Sequence, residues 1–186
     1  MMLSALILHA AIFSAEATAN GVEDIAQACA GCHGEQGIPQ DTATPVIWGQ
    51  TEGYLYIELR DYKTGARKNE IMSQIASALE RQDMFDLAAY FAAKPWPDLQ
   101  QPRASSAAAA RAATANSSIG CTGCHLERYQ GTGTAPRLAG QRESYLLKNM
   151  QDFRTGARGN NPGMTSLMQS TPEDDLPALA AYLAGL

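Results

Sequence analysis

Residues 29–34 read CAGCHG and residues 121–126 read CTGCHL. Between them they hold all four cysteines of the 186-residue chain. Each pair is spaced Cys-x-x-Cys and is followed at once by histidine, His33 in the first stretch and His125 in the second. The leading cysteines, Cys29 and Cys121, stand 92 residues apart.

Laid on the first half at an offset of 91 or 92, the second half matches well beyond these motifs. Pro45 falls on Pro136, Gly49-Gln50 on Gly140-Gln141, and Tyr54-Leu55 on Tyr145-Leu146. Asp61 meets Asp152, and Thr64-Gly65-Ala66-Arg67 recurs letter for letter at 155–158. Met72 meets Met164, and Leu87-Ala88-Ala89-Tyr90 meets Leu179-Ala180-Ala181-Tyr182. A match of this length is the mark of two homologous domains. The expected division is residues 20–97 and 105–186, joined by a linker at 98–104. Pro95, Pro97 and Pro102 prevent a continuous helix across the join. The alanine run at 107–113 reads as the first helix of the second domain, capped by Ser105 or Ser106, or else as a flexible linker.

Within each copy the apolar period is helical. Leu55, Leu59 and Tyr62 recur at i, i+4 and i+7, and so do Leu146, Met150 and Phe153. The last helix is expected to open at Thr171 as N-cap, with Pro172 following and three acids in its first turn. Alternating strand patterns are absent. The expected fold is all-α, two tandem domains with long loops between each CxxCH and the next helix.

The first 19 residues end in small-residue cleavage patterns, and their apolar run, Leu3 to Phe13, is too short to span a bilayer. A secretory signal is the reading, an N-terminal packing helix the alternative. The net charge of −5 argues against nucleic acid as a partner. It is unevenly divided: residues 20–103 carry −5 and residues 104–186 carry +1, with Glu16 supplying the remainder. Such asymmetry orients a molecule at a partner surface, or is ordinary surface variation.

Three chemistries use Cys-x-x-Cys. A structural zinc site needs four ligands, and here each pair sits in its own domain copy without obvious additional ones. A dithiol redox motif belongs in a βαβ setting, and no strands are expected. Covalent attachment of c-type haem uses C-x-x-C-H: two thiols bond one edge of the porphyrin and the next histidine lies beneath the iron. Two such motifs in register within a whole-domain repeat predict two covalently attached haem c groups. The cofactor-binding residues are then Cys29, Cys32, His33, Cys121, Cys124 and His125.

The residue inventory narrows the sixth iron ligand. Of three histidines, His9 lies in the expected signal and the other two are already used. No fifth cysteine exists. Methionine remains, and a thioether opposite histidine raises the reduction potential. Met72 and Met164 hold equivalent places, each 18 residues before the tyrosine of its last helix. Met84, Met150 and Met168 align with Leu176, Leu59 and Ala76, so packing explains them, although Met168 lies one turn beyond Met164 and is the nearest rival. Iron ligation is therefore expected from His33, Met72, His125 and Met164. Pro45 and Pro136 follow the two histidines by 12 and 11 residues. Their carbonyls suit the imidazole N–H, which a ligating histidine gives to a fixed acceptor; punctuation of the loop is the alternative. Tyr54, Tyr145, Arg67 and Arg158 could bond haem propionates or serve at the surface.

The arrangement resembles dihaem cytochromes c of the cytochrome c4 family. CAGCHG and CTGCHL, the GQ pairs at 49–50 and 140–141, the TGAR pairs and the two LAAY stretches carry the resemblance, which spans residues 20–186. It implies two class I cytochrome c domains with His/Met iron, related by a pseudo-twofold axis, with haem propionate edges approaching one another at the interface. It also implies a periplasmic one-electron carrier, often associated with the membrane surface, delivering electrons toward a terminal oxidase or other acceptor. Expected partners are a donor dehydrogenase or quinol-oxidising complex and an acceptor oxidase or reductase. Three departures stand out: Leu126 follows the second CxxCH where glycine is usual, the stretch LERYQGTGTAPRLAG at 126–140 differs from the first domain's loop, and Trp48 faces Ala139 in the alignment. The alternative is a dedicated cytochrome subunit taking electrons from a dehydrogenase of sulfur compounds or alcohols. A dihaem enzyme such as a peroxidase needs an open iron position, which a methionine in each domain fills.

Overall fold

The computed structural model describes residues 14–186, so the apolar run of the expected signal lies outside the described residues. Helices α1 (Ser14–His33), α2 (Glu52–Thr64), α3 (Glu70–Ser77) and α4 (Arg81–Ala92) build the first half. Helices α5 (Ser106–Ile119), α6 (Thr122–His125), α7 (Glu143–Thr155), α8 (Pro162–Ser170) and α9 (Leu176–Ala184) build the second. Among the described residues the only extended pairing is a lone antiparallel bridge between Thr132 and Ala135. The all-α expectation holds.

Packing repeats with the sequence. In the first half α2 lies against α3 and α4, and α1 against α4; in the second α7 lies against α8 and α9, and α5 against α9. The second stripe faces these contacts whole, with Leu146, Met150 and Phe153 all buried. Of the first, Leu55 is buried and Leu59 packs on the core, while Tyr62 is half-buried under the Arg67 guanidinium, 4.8 Å from its ring centre. Burying such side chains contributes about 2 kcal/mol apiece, which drives these otherwise marginal helices together. The repeated LAAY places Leu87 and Ala88, and Leu179 and Ala180, inside the core. Alanine there lets the helix backbones approach closely, and a larger side chain would overpack the contact. Met84, Met150 and Met168 are buried core residues, as their alignment with Leu and Ala predicts.

The alanine run is helical, not a loose linker, and Ser105 caps it by accepting from the Ala108 N–H at 3.2 Å. The segment before it is clamped to the second half. The Gln101 amide donates to the carbonyls of Gly140, Gln141 and Ala184, and Arg137 stacks over the Trp96 ring at 4.5 Å.

One boundary differs from expectation. Thr171 does not cap the last helix but ends α8, its hydroxyl donating to the Leu167 carbonyl at 2.8 Å. The three acids form a 3-10 turn, Glu173–Asp175, and α9 opens only at Leu176. A side chain buried at 1% exposure and bonded back to the preceding turn has no reach left for the following one.

Candidate haem sites

The two CxxCH motifs occupy corresponding places by different local routes. The first is the closing turn of α1. In the second half α5 ends at Ile119, Gly120 turns the chain in the left-handed conformation, and Cys121 leads into the short α6. Both motifs leave one cysteine half-buried and one exposed: Cys29 with Cys32, and Cys121 with Cys124. Burial raises the thiol pKa of Cys29 and of Cys121.

His33 and His125 are 7% and 5% exposed. Each Nδ1 lies 2.8 Å from a proline carbonyl oxygen, Pro45 for His33 and Pro136 for His125. A carbonyl only accepts, so Nδ1 carries the proton and the Nε2 lone pair is left free. Burial lowers both imidazoles below their ordinary range, against the smaller opposing effect of the carbonyl bonds, and so keeps them neutral. Neutral, oriented imidazoles beside paired cysteines are the donor set that haem c requires.

Met72 and Met164, both half-buried, ride on helices held at both ends. At the N-terminus the Asn69 side chain accepts from the Met72 N–H at 2.9 Å, and the Asn161 side chain from the Met164 N–H at 3.0 Å. At the C-terminus Lys63 donates to the carbonyl of Ser77, the last residue of α3, and to that of Leu79 just beyond it. Its counterpart Arg154 donates to the carbonyls of Met168, Gln169 and Thr171 at the end of α8. Asparagine caps and cationic side chains at helix ends satisfy backbone groups that a short helix leaves open.

Between the halves lies a buried polar cluster. Arg67 and Arg158, the arginines of the repeated TGAR, each hold one oxygen of Glu58 at 2.5 Å. Both also donate to the Asn149 side-chain oxygen, at 2.9 and 2.7 Å. The tyrosine bonds cross from one half to the other: Arg67 donates to the Tyr145 hydroxyl at 3.1 Å and Arg158 to that of Tyr54 at 3.5 Å. These four residues, expected at propionates or at the surface, are brought together at the domain junction. Glu58 and Asn149 were not singled out by sequence. The signal was present, because they align at the same offset as the tyrosines and sit one helical turn beyond them.

Helical halves with buried, carbonyl-anchored CxxCH histidines define a c-type cytochrome, here with two haem sites in one chain. A family model described as cytochrome c matches residues 18–93 and 106–186. Over 171 residues the chain is 36% identical to cytochrome c4 of Pseudomonas aeruginosa, covering 87% of this chain and 85% of that protein. It is 34% identical over 180 residues to the thiosulfate dehydrogenase electron acceptor of Stutzerimonas stutzeri, covering 91% and 83%. The crystal structure of reduced recombinant cytochrome c4 from Pseudomonas stutzeri superposes with a TM-score of 0.79 at 29% identity, covering 90% of this chain and 98% of that one. The chain belongs to the cytochrome c4 family. It is a dihaem electron carrier with two covalently attached haem c groups, serving redox partners.

Proposed function

We propose that His33 and Met72 ligate one iron and His125 and Met164 the other. Cys29 and Cys32, and Cys121 and Cys124, form the thioether links. The observation that carries this assignment is the matched anchoring in both halves. Each imidazole is fixed through Nδ1 by a proline carbonyl, and each methionine is fixed through its N–H by an asparagine cap. Nε2 of each imidazole is then left free to bind a metal. Haem c, when bound, would supply an iron that takes up and releases one electron; the chain orients the ligands and buries the two imidazoles. If His33 and Met72, and His125 and Met164, hold the two irons, they would leave no position open to a substrate, and the chain would carry electrons without turning over a reaction of its own.

We place the two functional domains at residues 20–97 and 105–186, with 98–104 between them. After loss of residues 1–19 the protein works in the periplasm and passes electrons toward a terminal oxidase or another acceptor. Among the described residues no helix is long and apolar enough to cross a membrane. Optical and magnetic spectra of the purified protein test the ligand assignment. Two low-spin c-type haems with a ferric methionine–iron charge-transfer band are expected. Met72→Ala and Met164→Ala each convert one haem to high spin. High-spin iron in the wild type overturns the assignment.

A second reading draws on the relative named as a thiosulfate dehydrogenase electron acceptor. In that reading the chain is the dedicated electron acceptor of a partner dehydrogenase. Rapid reduction by such an enzyme with its sulfur substrate, and co-purification with it, supports this role. Turnover of peroxide by the wild type contradicts the carrier reading in both forms.

A further inference from the structure

The repeated Gly-Gln pairs do two different jobs. Each glycine ties its own half together: the Gly49 N–H donates to the Phe91 carbonyl at 2.8 Å, and the Gly140 N–H to the Leu183 carbonyl at 2.9 Å. Each glutamine reaches into the other half. Gln141 accepts from the Val46 N–H at 2.9 Å and donates to the Val46 carbonyl at 2.9 Å. Gln50 accepts from the Arg137 N–H at 2.6 Å and donates to the Arg137 carbonyl at 3.0 Å. Both residues are 3% exposed.

Val46 follows Pro45 and Arg137 follows Pro136. The N–H that Gln141 holds therefore belongs to the same peptide unit as the carbonyl that accepts from His33. Likewise the N–H that Gln50 holds shares a peptide with the carbonyl that accepts from His125. An acceptor on the N–H side of an amide draws electron density toward its oxygen, and hydrogen bonds in series strengthen one another. A better acceptor at the proline oxygen raises the basicity of the imidazole. A more basic axial imidazole favours ferric iron and lowers the potential.

We propose that Gln141 and Gln50 are crossed positioning residues, each setting the potential of the haem in the opposite half. Gln141 acts on the His33 haem and Gln50 on the His125 haem, each through a single peptide unit. The inference rests on the ligand assignment of the two histidines. The crossing has a second consequence. Any event at one half that shifts its Gly-Gln turn is felt at the iron of the other, because the same turn is bonded to its own last helix.

The test is a redox titration of the haem-loaded protein followed by NMR, with the haem methyl signals of each half assigned through their neighbouring cysteines. Gln141→Leu raises the potential of the haem bonded to Cys29 and Cys32 and leaves the other in place; Gln50→Leu does the reverse. The Nδ1 proton of the affected histidine moves upfield as its bond weakens. Gln141→Met and Gln50→Met keep the side-chain length with no donor and only a weak thioether acceptor in place of the amide, and give the same pattern if the leucine variants fold poorly. A shift confined to the haem of the mutated half, an equal shift of both haems, or no shift in proteins that retain low-spin spectra overturns the crossed brace alone. High-spin iron in the unmutated protein overturns the ligand assignment, and the brace with it.

Discussion

Glu58 and Asn149 stand at equivalent positions of the two halves, and the same two arginines bond both. The pairing is symmetric in shape and unequal in charge. Arg67 and Arg158 lie on two oxygens of one carboxylate on one side and share a single amide oxygen on the other. All the negative charge that this central pair offers the arginines comes from the first half.

Glu58→Gln leaves two buried guanidinium groups facing neutral amides. Removing one member of a buried ionic cluster costs about 3 kcal/mol, because the remaining charges stay desolvated and uncompensated. Denaturant unfolding of the haem-loaded variant is expected to give that loss. A change below about 0.5 kcal/mol, the range of ordinary surface substitutions, contradicts the role assigned to the carboxylate.

Leu126 holds φ of +65° in the place where the first half has Gly34 at +86°. A branched side chain in that region stores strain of about 1 kcal/mol or more. Leu126→Gly is expected to stabilise the second half, net of the greater freedom that glycine gives the unfolded chain. The opposite substitution fails. A Cβ at Gly34 would stand 2.0 Å from the Ile38 carbonyl oxygen, so Gly34→Ala destabilises the first half. Thermal unfolding of the two variants checks both signs.

Arg154 secures the C-terminal end of the methionine-bearing α8. Arg154→Met keeps the aliphatic stem and releases three carbonyls, at a cost of about 1 kcal/mol. Hydrogen exchange is expected to quicken at the amides of α8 and to stay unchanged in α3, whose own clamp is Lys63. Equal quickening in both helices would show that the arginine acts globally.

Burial, then the neighbouring Tyr145 and Glu58, hold the Tyr54 hydroxyl well above the ordinary tyrosine range. In the unfolded chain the same group titrates near pH 10, so above that pH the folded state binds more protons than the unfolded one. Its contribution is therefore fully present below about pH 10 and is lost as pH climbs toward the folded value. Tyr54→Phe flattens this alkaline decline. Urea unfolding at about pH 8 and about pH 11 compares the slopes; the same loss in variant and wild type would contradict the assignment.

The repeat, the CxxCH chemistry and the helical class were all legible in the chain as written. They rest on local spacing: two thiols and an imidazole within five residues, apolar side chains at helical period, and a second copy to check each reading. The carbonyl partners of His33 and His125 were legible too, because a proline at matched distance occurs in both copies. Thr171 was misread since capping signals are shared by the end of one helix and the start of the next, and only burial distinguishes them.

How the halves meet was a matter for the tertiary structure alone. Repetition in a sequence says which residues are alike, not which of them face one another across an axis. Gln141 and Val46 stand 95 residues apart, and nothing in their neighbourhoods announces the other. Their contact exists because two similar surfaces dock in opposed orientation, so that each turn meets the loop of its counterpart. Symmetry that local spacing reveals as duplication becomes a crossed pair of bonds only once both domains have folded and come together.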